Sequence, residues 1–161
     1  HRNIRHEGRA TVAGPVHPAI VTPGAAERAA LPAWDRRFFA APRAAFLNAW
    51  ISRPGTVLRS YVEDGRLQGY GVIRPCRTGF KIGPLFAERP AVAEALFQAL
   101  TAAVPAGAPV FLDTPAVTPE ALALASRHGM TPVFETARMY TGPAPDIAID
   151  RTYGITSFEL G

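Results

Sequence analysis

The stretch LASRHGMTPVFETARMY, residues 124–140, carries the strongest structural signal in the chain. It begins with an Ala- and Leu-rich helix that is predicted to end at His128, because Gly129 tolerates the backbone conformation that caps a helix. Residues 130–140 then combine β-branched and aromatic side chains, which favour an extended strand. The stretch therefore predicts a helix, a glycine cap and a strand in immediate succession.

The residues before this stretch alternate between helical and extended patterns. Residues 35–50 predict one helix, because their aromatic side chains recur at helical spacing and Pro54 with Gly55 ends the run. Residues 63–65, Glu-Asp-Gly, predict a hairpin turn, since Asp-Gly tolerates positive φ angles. The other predicted elements are strands at residues 57–62, 67–74, 80–86, 110–112 and 155–160, and helices at residues 90–104 and 119–128.

Length and composition predict one globular domain. The chain has 161 residues, of which 48% are hydrophobic, and this is enough to bury one core. No apolar run approaches the roughly 18 residues of a membrane span. The single cysteine, Cys76, excludes an internal disulfide framework and fits a reducing, cytoplasmic setting. We therefore expect a cytoplasmic protein without a membrane partner.

The positively charged residues of the chain are scattered along the sequence. The formal net charge is +4, and Lys81 is the only lysine. The arginines are scattered and no basic stripe interleaves with aromatic residues, so a nucleic-acid partner is not indicated. Arg74, Arg77, Lys81 and Arg138 are expected to converge near a cleft of the sheet, where they would recognise an anionic substrate or cofactor. Solvated strand faces explain the same residues equally well.

Several phrases of the sequence resemble the GNAT acetyltransferase superfamily. The helix, glycine and strand of residues 124–140 are similar to its closing pattern, LYxxxGF. The phrases GYGVIR, KIGPLFA, LDTP and TARMY, which begin at residues 69, 81, 112 and 136, resemble the C-terminal lobe of tandem GNAT proteins. The resemblance implies an α/β (α+β) GNAT fold. This is a mixed sheet with an antiparallel meander, a central V-shaped splay and flanking helices, and strand 110–112 runs parallel to strand 80–86.

The N-terminal residues resemble part of a second lobe. RNIRHEG, residues 2–8, is similar to the last strand of a preceding GNAT domain, and residues 13–32 are Pro/Ala/Gly-rich, which is typical of an extended linker. We therefore assign residues 1–32 to the tail of a preceding lobe plus a linker, and residues 33–161 to the GNAT-like domain. The implied partner is an N-terminal GNAT lobe of the same protein, with a homodimer as a further form of assembly. An ordinary N-terminal segment is the alternative.

The resemblance implies transfer of an acetyl group from acetyl-CoA to a small-molecule amine. In the family, a Q/R-x-x-G-x-G/A loop and a helix N-terminus bind the cofactor's pyrophosphate. This chain has Glu-Arg-Pro-Ala-Val-Ala at residues 88–93, so Ala91 and Ala93 replace both glycines. Pro90 removes one N–H donor, and the carboxylate of Glu88 would repel a diphosphate. Arg89 is the residue expected to offset that repulsion by binding phosphate.

The backbone that precedes this loop is the second expected part of the cofactor site. The resemblance implies that N–H groups around Leu85, Phe86 and Ala87, on the splayed strand, polarise the acetyl carbonyl. No metal site is expected, because the histidines lack ligand spacing with cysteines or carboxylates.

The acid and base of the reaction are poorly represented in the sequence. Ala125 stands where the family often carries the tyrosine that protonates the CoA sulfur. Tyr140 or Tyr153 would have to replace it from a neighbouring strand. Asp113 is the candidate base, since it ends a buried strand, although Asp-Thr-Pro at residues 113–115 is also a turn-forming tripeptide.

Two functions therefore stay open. The first is an N-acetyltransferase domain. The second is a non-catalytic GNAT-like lobe with a degenerate CoA loop, which shapes the substrate cleft or the dimer interface of a partner lobe.

Overall fold

Eight strands form one mixed sheet in the order β2-β3-β4-β5-β6-β1-β7, and β8 pairs with β5. The structure is a computed structural model that describes residues 1–12 and 14–160, so Ala13 and Gly161, which lie within the predicted linker and domain, fall outside the described residues. The strands are β1 Arg2–Arg9, β2 Ile20–Val21, β3 Val57–Glu63, β4 Arg66–Pro75, β5 Phe80–Ala87, β6 Pro109–Pro115, β7 Thr131–Ala137 and β8 Thr152–Gly154. The helices are α1 Ala25–Asp35, α2 Ala44–Ile51, α3 Pro90–Thr101 and α4 Pro119–Arg127.

The predicted meander is confirmed. Strands β3, β4 and β5 pair antiparallel in chain order. Asp64 and Gly65 have φ angles of 50° and 72° in the first hairpin turn, as the Asp-Gly pair predicts. Strand β6 pairs parallel with β5, from Phe80 opposite Val110 to Ile82 opposite Leu112, and α3 makes the crossover. The mixed sheet expected from the resemblance is therefore present.

The sheet has an apolar core on each face. One core contains side chains of α3 and α4, such as Leu96, Leu100 and Leu124, packed on β5 and β6. The other contains Leu31 of α1 and Leu47 of α2, packed on Tyr70 of β4. All six side chains are fully buried. The sheet is thus the middle of three layers, which positions both faces of β5 against helices.

The single helix predicted for residues 35–50 is wrong. The structure has two helices instead, since α1 ends at Asp35 and α2 begins at Ala44, and Pro42 between them disfavours the helical conformation for Ala41. The linker predicted for residues 13–32 is wrong from residue 25 onward, since α1 begins at Ala25 and buries Leu31 in the core. The domain boundary assigned after residue 32 therefore falls inside α1.

The strand predicted for residues 155–160 is also wrong. The strand lies earlier, at Thr152–Gly154, and residues 158–160 form a turn. Strand β7 ends at Ala137, three residues before Tyr140. Gly142, Pro143 and Pro145 follow, and their backbone preferences favour an irregular connection over a longer strand.

The N-terminal strand β1 lies inside the sheet. It pairs antiparallel with β6 on one side, with Arg5 opposite Asp113, and with β7 on the other, with Arg5 opposite Phe134. Residues 2–9 are thus part of this domain's sheet. Their origin in a preceding lobe stays a prediction.

Among the described residues, no helix combines the length and the apolar character needed to cross a lipid bilayer.

Candidate functional site

The sheet opens between β5 and β6, and the gap is filled by the chain itself. The two strands pair only as far as Ile82 and Leu112. Beyond that point β8 pairs antiparallel with β5, placing Gly154 opposite Leu85 and Thr152 opposite Phe86. On the other side the N–H of Ile155 donates to the carbonyl of Asp113 at 2.9 Å. We call residues 148–157 the filling segment, because they close the V-shaped splay.

Two glycines make room for the filling segment. A Cβ atom on Gly154 would lie 2.7 Å from Cδ1 of Leu112 and 3.2 Å from Cβ of Leu85. A Cβ atom on Gly83 of β5 would lie 2.6 Å from the carbonyl oxygen of Thr156. All three distances are below those of ordinary van der Waals contacts, so larger residues would push the segment away from the strands.

A buried polar network anchors the end of the filling segment to both N-terminal helices. Arg43 donates to both oxygens of Asp35, at 2.6 and 2.8 Å, and to Oγ1 of Thr156 at 3.0 Å. The hydroxyl of Tyr70 donates to Asp35 at 2.5 Å. Burial, and next the charge of Asp35, raise the pKa of Tyr70 well above its usual value, so the phenol keeps its proton and donates. The network ties α1, α2, β4 and the segment together.

Glu88, just before the N-terminus of α3, forms ion pairs with two arginines of the same chain. Glu88 accepts hydrogen bonds from Arg37, which follows α1, and from Arg151 in the filling segment, the latter at 2.8 Å. The hydrogen bond from Arg37 lowers the pKa of Glu88 against the opposing effect of burial. Glu88 is therefore a carboxylate at neutral pH, and it pairs with Arg37 and Arg151 just before α3 begins.

The remaining residues of the predicted phosphate loop have different environments. The guanidinium of Arg89 donates to both carboxylate oxygens of Glu63, at 2.8 and 2.9 Å. Ala91 is exposed, whereas Ala93 is fully buried in the core. Pro90 is the first residue of α3 and has no N–H. The helix start thus offers few free donors to a diphosphate.

Asp113 lies at the end of β6 and is fully buried. Arg5 donates to its two oxygens at 2.8 and 2.9 Å, and Lys81 donates to the second oxygen as well. Burial lowers the pKa of Lys81, and Asp113 opposes that shift. Two cations therefore already surround the carboxylate that the sequence singled out as a base.

The two tyrosines that the sequence singled out lie on or after different strands from Asp113. Tyr140 follows the edge strand β7 and is 37% exposed, with Arg138 over its ring. Tyr153 is buried in the core under α4, where burial and next the charge of Glu120 raise its pKa to about 12. Ala125 is fully buried in the same core. The structure does not bring Tyr140 and Asp113 into one cleft.

Three of the four predicted convergent cations do meet. Arg74, Arg77 and Lys81 line one cleft at the start of β5, and Arg138 lines a different one beside β7. Arg5 of β1 joins the first three, which sequence reasoning missed because the pairing of β1 with β6 is not encoded locally. Among residues 1–12 and 14–160, no group of three or more His, Cys, Asp or Glu side chains could hold a metal ion.

Acetyl-CoA, which the family resemblance implies, does not fit the groove as it is built. Two of the three residues expected to offer backbone to it, Leu85 and Phe86, pair with β8, and Ala87 is fully buried. At the expected pyrophosphate position stands Glu88, whose carboxylate already occupies the guanidinium groups of Arg37 and Arg151. The filling segment was not predictable as such, although Gly154 between apolar residues was a sign of close backbone approach.

The comparisons with known proteins agree with the fold. A family model described as an acetyltransferase (GNAT) domain matches residues 32–154, which include β8. The holothin acyltransferase of Pseudoalteromonas sp. (strain SANK 73390) is 35% identical over 131 residues, covering 80% of this chain and 44% of that protein.

Solved structures give the same result. A Pyrococcus horikoshii protein assigned as an acetyltransferase superposes with a TM-score of 0.79 at 25% identity, over 99% of this chain and 52% of that one. A GNAT-family acetyltransferase from Colwellia psychrerythraea superposes with a TM-score of 0.62 at 14% identity, over 83% of this chain and 53% of that one. The chain thus spans about half the length of these relatives.

Proposed function

The chain belongs to the GNAT acetyltransferase family, and from this premise we propose that it is one lobe of a two-lobed N-acetyltransferase. The whole protein would transfer an acetyl group from acetyl-CoA to a small-molecule amine. This lobe would not bind the cofactor. It would instead shape the substrate cleft of a partner lobe, which is the N-terminal GNAT lobe of the same protein.

The observation that carries this proposal is the pairing of β8 with β5. A cofactor that binds along Leu85 and Phe86 needs the same backbone edge that β8 occupies. Displacing β8 would also break the hydrogen bond from Arg43 to Thr156 and the contact between Arg151 and Glu88. The filling segment is therefore held at both ends as well as in the splay, which favours a closed groove.

A partner lobe is supported by the surface of β7. This strand is at the edge of the sheet, so one row of its backbone groups has no neighbouring strand among the described residues. Val133 and Phe134 on it are 49% and 57% exposed, and Met139 just after it is 84% exposed. An apolar edge strand of this kind favours association. The relatives of about twice this length have room for a second lobe.

Thermal unfolding with acetyl-CoA tests the proposal. Binding at a hundredfold excess over Kd would stabilise the chain by about 2.7 kcal/mol, or roughly 5–10 °C in Tm. We expect no shift with this chain, and none with the double variant Ala91→Gly/Ala93→Gly, because restored glycines do not remove β8. We expect a shift with a two-lobed protein that carries this chain.

One outcome would contradict the proposal, and a second would contradict its explanation that β8 closes the groove. A shift with the unaltered chain would show that the groove binds acetyl-CoA, and the domain would then be a candidate catalytic lobe. A shift with the glycine variant alone would show that the loop, and not the filling segment, prevents binding.

A further inference from the structure

A second cleft lies at the opposite end of β5 from Glu88. Its volume is about 350 Å³, and it opens between the β4–β5 turn and the strands β1 and β6. The residues that line it are Arg5, Arg74, Cys76, Arg77, Thr78, Lys81, Phe111 and Glu159. Four of these side chains are cations, and one is a carboxylate.

The strand registers place the cations on one face. Arg74 of β4 lies opposite Lys81 of β5, and neighbouring residues on paired strands point to the same side of a sheet. Arg5 and Lys81 share the buried carboxylate of Asp113. Together with Glu159, this leaves two more positive than negative charges around the cleft.

Arg74 and Arg77 carry that excess. Within the described residues neither forms an ion pair. The Nε of Arg74 is buried without a hydrogen-bond partner, and its guanidinium stacks 4.7 Å from the ring centre of Trp50. A partly buried cation without a counter-charge is costly, and an anion in the cleft would reduce that cost.

The neighbouring charges make this cost larger. Burial, and then the charge of Arg53, lower the pKa of Arg74. Burial also lowers the pKa of Lys81, with smaller effects in the same direction from Arg5 and Arg74. The cations crowd one another, and an anion between them would relieve that repulsion.

We propose that this cleft binds a small oxyanion, the carboxylate or phosphate group of a small molecule, through Arg74 and Arg77. The planar guanidinium groups suit either group, because they donate two parallel hydrogen bonds to a pair of oxygens. Phe111 supplies an apolar surface for the rest of the ligand. The site does not depend on the state of the groove, since it lies at the start of β5 and the groove lies at its end.

Titration of the isotopically labelled chain with sodium phosphate and with succinate tests the proposal. Ionic strength is held constant with sodium chloride, and amide chemical shifts of Cys76, Thr78 and Phe111 are followed. We expect saturable shifts with at least one probe, and the stronger probe identifies the preferred oxyanion. Shifts that rise linearly with both probes, without saturation, would overturn the proposal.

A matched pair of arginine variants separates a site from general charge. Arg77→Ala should weaken binding about fivefold, because it removes a charge-assisted contact at an exposed turn. Arg66→Ala removes an arginine that is also exposed, in the β3–β4 hairpin, and should leave the affinity unchanged. Equal weakening in both variants would show a nonspecific charge effect and would contradict the proposal.

Glu159 provides a test of opposite sign. Its carboxylate lines the cleft, so Glu159→Gln should tighten binding of either probe about twofold to fivefold. The control Glu27→Gln changes an exposed glutamate on α1 and should have no effect on affinity. Weaker binding in Glu159→Gln would mean that the anion does not lie among these cations.

Discussion

The charged side chains at the end of β5 form ion pairs within the chain, whereas two arginines near its start do not. At the end of the strand, the charges are paired within the chain, because Glu88 contacts both Arg37 and Arg151, and the filling segment pairs with the backbone. At the start, Arg74 and Arg77 form no ion pair among the described residues, and the cleft beside them is open. A region with internal partners needs no ligand, whereas a region without them gains stability from one.

The buried network gives the largest expected effect on the closed end. Asp35→Asn leaves Arg43 buried without its counter-charge, and breaking a buried ion pair in this way costs about 3–5 kcal/mol. Urea unfolding of the variant should show this loss. Tyr70→Phe removes one donor to the same carboxylate and should cost less, about 1 kcal/mol. Equal stability of Asp35→Asn and the unaltered chain would mean that the network does not hold the helices to the filling segment.

Gly154 tests whether β8 occupies the splay. Gly154→Ala puts a methyl group against Leu112 and Leu85, and such overpacking costs about 1–3 kcal/mol. Gly142 has no atom within 4 Å of its Cβ position, so Gly142→Ala is the matched control and should be neutral. Thermal or urea unfolding compares the two. If both substitutions were neutral, β8 would not lie between β5 and β6.

The elements that were predictable depend on local patterns. The Asp64-Gly65 turn predicts the hairpin and the periodic apolar residues of α3 predict a helix, whereas the parallel pairing of β5 and β6 was implied by the family resemblance. Pro42 is a local signal against a continuous helix, but the helical spacing of the aromatic residues on both sides of it predicted a single one. Local patterns therefore predict individual strands, turns and helices of the fold.

The site depends on contacts between distant residues, and these were not predictable. Arg5 and Asp113 are 108 residues apart, and Arg43 and Thr156 are 113 apart. Nothing near Asp113 in the sequence shows that two cations surround it. The resemblance indicated a degenerate phosphate loop, but the loss of the glycines does not reveal which segment fills the groove.

A smaller effect is the pH dependence of stability that His6 contributes, a residue of β1 that lies opposite Leu112 of β6. The ring is buried, its Nε2 lies 3.0 Å from Oγ1 of Thr114, and its Nδ1 has no partner. Burial lowers the pKa of His6 against the attraction of Asp113. Because the folded-state pKa is below the unfolded value of about 6.5, the unfolded chain binds more protons between the two values. The free energy of unfolding should therefore not depend on His6 above the unfolded value. It should decrease as the pH falls from that value toward the folded-state pKa.

Urea unfolding between neutral and mildly acidic pH measures this effect. His6→Gln should lose part of the pH dependence, whereas His17→Gln, which changes an exposed histidine, should keep it. A parent chain whose stability rises on acidification through this range would contradict the assigned direction.

The smallest effect on stability is expected at Glu88, yet this residue separates two explanations for a closed groove. Its pairs with Arg37 and Arg151 are partly exposed, so Glu88→Gln should cost less than about 1 kcal/mol, and high salt should shrink the difference. If charge repulsion alone prevents binding, the variant should bind acetyl-CoA, because its negative charge is gone. We expect no binding, since β8 still pairs with Leu85 and Phe86. Calorimetric titration of the variant with acetyl-CoA decides between them, and measurable heat of binding would favour repulsion over occupancy.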